Sequence, residues 1–376
     1  MNFEIIIVGA GSMGMAAGYF LASQGRKVLL IDAFDPPHTE GAHHGETRII
    51  RHAYGEGENY VPMALRAQEL WQDLEKKSNK KLFLQTGVLN VGDADSEFIQ
   101  NVKKSAENYS LPVEVLTAAE MNERWSGFQF SNDYIGCFEK NSGVLMVEEC
   151  VRAYRELAEK NGAVLRTNTS VTAIEASESS VIVKTDNETF TGEKLIVTAG
   201  RGSDPILSAL GLELPLQSMR KTFSWFDSDE AIYRADVFPA FAVNYPDSDE
   251  LYYGFPSIDG AGVKIGRHDE GQPVKPGETL ADYGTFPEDE QDVKSFAAKF
   301  MSQKLPLKLG KTCVYTNSSD SDFIIDRHPE LNHVIFACGF SGHGFKFASA
   351  VGEILSQLAV DGKSEQDISD FSMDRF

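Results

Sequence analysis

The chain opens with two unbroken apolar runs separated by a glycine-rich turn and a longer apolar stretch. Ile5-Ile6-Ile7-Val8 leads into Gly9-Ala10-Gly11-Ser12-Met13-Gly14, and an apolar segment then runs to Gly25 before Val28-Leu29-Leu30-Ile31-Asp32. Runs that are apolar at every position fit strands buried on both faces, as in a parallel sheet. The segment between them predicts a helix that stops at Gly25, where a left-handed C-cap belongs. Apolar residues three and four apart predict helices over 61–77 and 147–160, the second closed by Asn161-Gly162. A strand region lies at 82–92. Short strands follow at Val164 to Thr167, Val171 to Glu175 and Val181 to Thr185, with a turn at Asp186-Asn187. Lys194 to Gly200 reads as a buried parallel strand ending on glycine.

From about 216 to 318 the pattern changes to alternation rich in aromatics, as in Leu251-Tyr252-Tyr253-Gly254-Phe255-Pro256. Alternation of this kind predicts an antiparallel sheet with one buried and one polar face. The chain then returns to a strand (His333 to Ala337), a glycine-rich turn (Gly339 to Gly344) and a helix from about Lys346 to Leu358. The fold class is therefore α/β combined with α+β. A Rossmann-like nucleotide domain would comprise 1–86, 147–215 and 319–376. A second, mostly antiparallel-sheet substrate domain would comprise 87–146 and 216–318.

The 376 residues are 42% hydrophobic and 24% charged, enough for one large or two medium cores. A net charge of −21 argues against nucleic acid or an anionic membrane as partner. No apolar run reaches the roughly 20 residues of a membrane span. The early first strand argues against a secretory leader, and four cysteines without paired or metal-ligand spacing suit a reducing cytoplasm. No metal site is expected, since adjacent His43 and His44 lack companion ligands.

The opening unit carries the first chemistry. Gly9 permits a tight turn, Gly11 lets backbone approach a pyrophosphate, and Gly14 lets helix and strand pack closely. The helix N-terminus faces the phosphates, and Asp32 can accept from ribose hydroxyls. A chance glycine turn is the bland alternative, and the surrounding strand, helix and acid count against it.

Three further clusters stand out. His43-His44-Gly45-Glu46-Thr47-Arg48-Ile49-Ile50-Arg51-His52-Ala53-Tyr54-Gly55-Glu56 concentrates two arginines and three histidines in an acidic chain, either as an anion pocket or as an exposed basic loop. A strand over 263–267 would put Lys264, Gly266 and His268 on one face, with Val263 and Ile265 toward the core. Lys264 then stands either in solvent at the sheet rim or over a cofactor ring. Gly339-Phe340-Ser341-Gly342-His343-Gly344-Phe345-Lys346 repeats the strand, glycine and helix-start pattern, which presents N–H groups to an anion or an electron-rich ring. Cys313, taken alone, reads as a small buried apolar residue.

Together, Gly9 to Gly18, Asp32 to His38, the His44 to Glu56 run, Tyr253 to Pro256, Asp322-Phe323-Ile324-Ile325-Asp326 and Gly339 to Lys346 resemble the monomeric sarcosine oxidase and N-methyltryptophan oxidase family over nearly the whole chain. The resemblance implies a flavoenzyme that oxidises N-methyl amino acids with O2, releasing the amino acid, formaldehyde and hydrogen peroxide. It implies FAD bound covalently through Cys313. It implies cofactor contacts at Gly9, Gly11, Ser12, Met13, Gly14, Asp32, His43, His44, Arg48, Val171, Ala199, Gly200, Gly342, Gly344 and Lys346. Arg51 and Lys346 would bind the substrate carboxylate, Lys264 would activate oxygen, and Arg48, Tyr253, His268 and Tyr315 would line the site. A monomer is implied as well.

Lys221 to Phe226 and Ile265 to Gln272 are more similar to the N-methyltryptophan enzymes. Met13 to Met15, Asp35 to Thr39 and 151–159 are more similar to the sarcosine enzymes. That division leans slightly toward a bulky N-methyl amino acid. Two other readings compete: an oxygen-independent FAD- or NAD-dependent amino acid dehydrogenase, and a flavin-binding protein without activity.

Overall fold

The computed structural model describes residues 2–246 and 250–376. Its first sheet has eight strands. Asn2–Val8 lies between Thr189–Val197 and Val28–Ile31, parallel to both, and Val164–Arg166 continues the parallel edge. Val334–Cys338 also pairs parallel with the end of Thr189–Val197, and Val171–Ala176 and Val181–Thr185 extend the sheet antiparallel. Helices Ser12–Ser23, Val147–Lys160 and Ala348–Val360 pack together on this domain's core, with the first touching both others.

The first turn depends on two glycines. Gly9 adopts φ +94°, where a side chain is strained, and a Cβ on Gly14 would fall 1.9 Å from the Gly9 carbonyl oxygen. Thr198 Oγ donates to that same oxygen at 2.7 Å, which ties the turn to the end of the neighbouring strand.

The second sheet has nine strands, drawn from 88–139 and 216–318. All its pairings are antiparallel except Ala240–Asn244 against Val88–Asp93. One of its faces meets helix Glu288–Phe300 through an aromatic core that includes Phe128, Phe241, Tyr252, Phe296 and Phe300. A small antiparallel sheet of Thr47–Ile50, Gly143–Met146 and Phe83–Leu84 carries the cation-rich segment.

Some elements lie outside the sequence expectations. Helix Glu97–Asn108, which buries Ile99, Val102 and Ser105, is not among the expected elements; it is started by Ser96, whose hydroxyl accepts from the Ile99 N–H. Strands Val113–Thr117, Tyr134–Glu139 and Gly143–Met146 lack a clear period. The last helix proper begins at Ala348 rather than Lys346, because Phe345–Phe347 form a 3-10 turn first. Among the described residues no helix is long and apolar enough to cross a membrane.

Candidate active site

The carboxyl ends of the parallel strands meet at the glycine turn. Ala199 Cα stands 2.5 Å from where a Gly9 Cβ would be, and Gly200 follows with φ +56°. Asp32 accepts the Ala10 N–H at 2.7 Å and the Phe34 N–H at 2.9 Å, so both its oxygens face the turn and the loop after the second strand. Thr169 donates its N–H to the Asp32 carbonyl, which brings the segment leading to Val171 alongside.

His43 stands against the glycine turn. Its Nδ1 lies 3.3 Å from a Cβ placed on Gly11, while its Nε2 accepts the His38 N–H at 3.2 Å. Burial first, then neighbouring His38, pushes its pKa down to about 3, so the ring is neutral. A neutral ring that accepts at Nε2 carries its proton on Nδ1, facing the turn. Arg48 fans over the same loop, donating to the carbonyls of Thr47, Ala42 and His44 at 2.7–2.9 Å.

Arg48, Arg51, Glu56, Tyr253, Phe255, His268, Tyr315, Gly342, His343 and Lys346 line one pocket. Arg51 donates to both oxygens of Glu56, at 2.6 and 2.7 Å, and to Asn90 Oδ1 at 3.3 Å. Its Nε is buried without a partner. Lys346 Nζ donates to the Tyr54 hydroxyl at 2.9 Å and the His343 carbonyl at 2.8 Å. Burial and then repulsion from Arg51 bring the Lys346 pKa down to about 7. Burial also lowers His268 to about 4 and His343 to about 3, so neither adds charge at neutral pH. Burial alone would raise the Glu56 pKa, but the Arg51 guanidinium, with Lys346 beyond it, outweighs it, and the carboxyl is held low. Tyr253 and Tyr315 share a hydrogen bond, and burial lifts Tyr253 to about 12. A Cβ on Gly342 would stand 2.1 Å from the Tyr315 ring, so only glycine lets the turn close on it.

Lys264 is 2% exposed, which removes the solvent-rim alternative. Val263 and Ile265 face the aromatic core, as the alternation predicts. Lys264 Nζ lies 2.5 Å from the Gly45 carbonyl and 3.2 Å from Thr47 Oγ, with the Phe223, Phe255 and Trp225 rings 4.4–5.3 Å away. Burial, then Arg48, drives its pKa well below the ordinary lysine value. It lines a neighbouring cavity of about 500 Å3 rather than the Arg51 pocket. Cys313 packs with Phe223, Trp225 and Tyr315. Burial raises its thiol pKa, opposed by Arg48, Lys264 and Lys221. All four cysteines are unpaired and buried.

Arg267 points away from the pocket, to Asp269 at 2.7 Å and Asp292 at 3.0 Å. Glu56 and His343 line the pocket and Tyr54 stands behind Lys346; the sequence runs contain all three without giving them a role. Glu56 pairs with Arg51, five residues earlier, because the turn between them closes; Tyr54 and His343 meet only through the fold.

The sequence pattern described as FAD dependent oxidoreductase matches residues 4–358. The chain belongs to this family. It is 51% identical over 377 residues to the monomeric sarcosine oxidase of Bacillus sp. (strain B-0618), spanning 100% of this chain and 96% of that one. It is 43% identical to the N-methyl-L-tryptophan oxidase of Yersinia pestis (strain Pestoides F), with 100% of both covered. The L-proline dehydrogenase structure from P. horikoshii shares the fold at TM-score 0.88 and 22% identity, covering 100% of this chain and 98% of that one. NikD, an amino acid oxidase of nikkomycin biosynthesis, does so at 0.86 and 21%, with 99% and 97% covered.

The residues present suit the family's FAD. Gly11 leaves open space beside it apart from the His43 ring, and the His43 proton faces that space. Arg48, which donates to the carbonyl of His44, the next residue along, adds a cation of the kind an anionic dinucleotide requires.

Proposed function

We propose that the protein is a flavin-dependent oxidase that demethylates N-methyl amino acids, with sarcosine and N-methyl-L-tryptophan as its two candidate substrates. N-methyl amino acid, O2 and water would yield the amino acid, formaldehyde and hydrogen peroxide. The observation that carries this reading is the gathering of Arg48, Arg51 and Lys346 around one pocket of a chain with net charge −21. Such a pocket draws and orients a carboxylate.

Bound FAD would supply the redox chemistry, as acceptor of hydride from the N-methyl carbon and donor of electrons to O2. Arg51 and Lys346 grip the carboxylate and fix the methyl carbon's approach. No side chain need act as a strong base if the amine binds unprotonated, and the tyrosines, kept neutral by burial, exclude water. The Lys264 ammonium stabilises negative charge developing on dioxygen. The proposal includes a thioether from Cys313 to the flavin ring, nucleotide contacts at Gly9 to Gly14, Asp32, His43, His44, Val171, Ala199, Gly200, Gly342 and Gly344, a monomer, and a cytoplasmic setting.

A panel of sarcosine, N-methyl-L-tryptophan, pipecolate and proline, read by peroxide release, tests the reading and ranks the substrates. Flavin bleached anaerobically but not reoxidised by O2 would favour the dehydrogenase instead.

A further inference from the structure

A carboxylate that the reaction does not use is buried behind the cation pocket. Glu139 ends strand Tyr134–Glu139, flanked in the sheet by Val88 and Val113, and is 1% exposed. Its Oε2 accepts the backbone N–H of His52 at 3.0 Å and of Ala53 at 3.1 Å, and its Oε1 meets His52 Nδ1. A charge in this place is costly, and apolar residues often pack such a position at least as well. What the carboxylate specifies is the path of the backbone just past Arg51.

That backbone carries Arg51 and the tyrosine that receives Lys346. Arg51 precedes the held N–H groups directly. Tyr54 follows them, and its hydroxyl receives Lys346 Nζ at 2.9 Å and bonds His343 Nδ1 at 2.7 Å. Helix Glu97–Asn108 fastens the far side, with Ser105 Oγ donating to the Tyr54 carbonyl and Asn101 Nδ2 to the Gly55 carbonyl. Glu139 is therefore a charged anchor of backbone that Ser105 and Asn101 hold with neutral groups.

We propose that Glu139 is a positioning residue that sets Arg51 directly, and Lys346 through Tyr54, for the substrate carboxylate. The inference rests on the reading of Arg51 and Lys346 as carboxylate ligands. Its action passes through backbone N–H groups, so loss of the charge relaxes the turn and spoils a two-point grip without removing either cation.

The test uses the flavin-loaded enzyme and acetate, a carboxylate with no amine, titrated by the absorbance change of bound flavin. In Glu139→Gln the acetate dissociation constant should rise on the order of tenfold. The His52 and Ala53 amides should exchange hydrogen faster, and substrate KM should rise more than the limiting rate of anaerobic flavin reduction falls. Arg51→Met is the control. Weakening by Arg51→Met with unchanged acetate affinity in Glu139→Gln overturns the role of Glu139. Unchanged affinity in Arg51→Met overturns the carboxylate reading, and this inference with it. If Glu139→Gln does not accumulate as folded protein, Glu139→Asp carries the test, since it keeps the charge and shortens the reach. Weaker acetate binding then supports the role and unchanged binding overturns it.

Discussion

Replacing Lys264 by methionine is the most direct test of how the buried cation works. The substitution keeps length and an apolar stem but removes the ammonium, which is held by the Gly45 carbonyl and the Thr47 hydroxyl and ringed by Phe223, Phe255 and Trp225. Two unit charges about 4 Å apart in an effective dielectric near 20 attract by about 4 kcal/mol. A single preorganised stabilising group is typically worth about 10²–10³ in rate. The reaction of reduced enzyme with O2 should therefore slow by about 10²–10³. The pKa adds a sign. Burial and Arg48 lower it, so the ammonium is present below that lowered value and lost as pH rises through it. Oxygen reactivity of the parent should fall with rising pH, whereas that of Lys264→Met should stay flat. Lys264→Arg should keep part of the rate. The assay reduces the flavin anaerobically with substrate and then mixes it rapidly with oxygenated buffer. A methionine variant reoxidised within about threefold of the parent rate, or sharing its pH dependence, refutes the reasoning.

Three more outcomes concern the Arg51 pocket and Cys313. Glu56→Gln removes the carboxylate that engages Arg51 at 2.6 and 2.7 Å, so acetate should bind about 5- to 30-fold more tightly, from about 1–2 kcal/mol of released competition; weaker binding contradicts it. Lys346, with its pKa near 7, is charged below and neutral above, so acetate affinity should decline as pH rises through about 7, and Lys346→Met should lose that step. Acid-precipitated parent protein should leave a yellow pellet and Cys313→Ala a colourless one; a yellow pellet from the variant would place the linkage elsewhere.

Local pattern carried the nucleotide domain because its determinants lie close in sequence. Ile5 to Asp32 contains both strands, the turn, the helix and the acid, and the contacts Gly9 to Gly14 and Ala10 to Asp32 close within that span. Alternation over 263–267 likewise predicted which residues share a face. It left open whether Lys264 meets water, because what covers it is Phe223 and Trp225 on one neighbouring strand and Phe255 on the other.

The same limit hid the parts that tune the cations. Tyr54 and His343 meet across 289 positions, and Glu139 reaches His52 across 87. An acid next to Phe138 at the end of an unremarked strand has no local signature, since its partners are backbone N–H groups that every residue but proline owns. Residue type marks which groups can carry charge. Whether that charge is kept or suppressed depends on neighbours brought in by the sheets, as Lys346, next to Arg51 and away from water, illustrates. Arg51 and Lys346 repel each other, and the Glu56 carboxylate that Arg51 engages offsets part of that repulsion, so any carboxylate entering the pocket would compete with Glu56 for the same guanidinium.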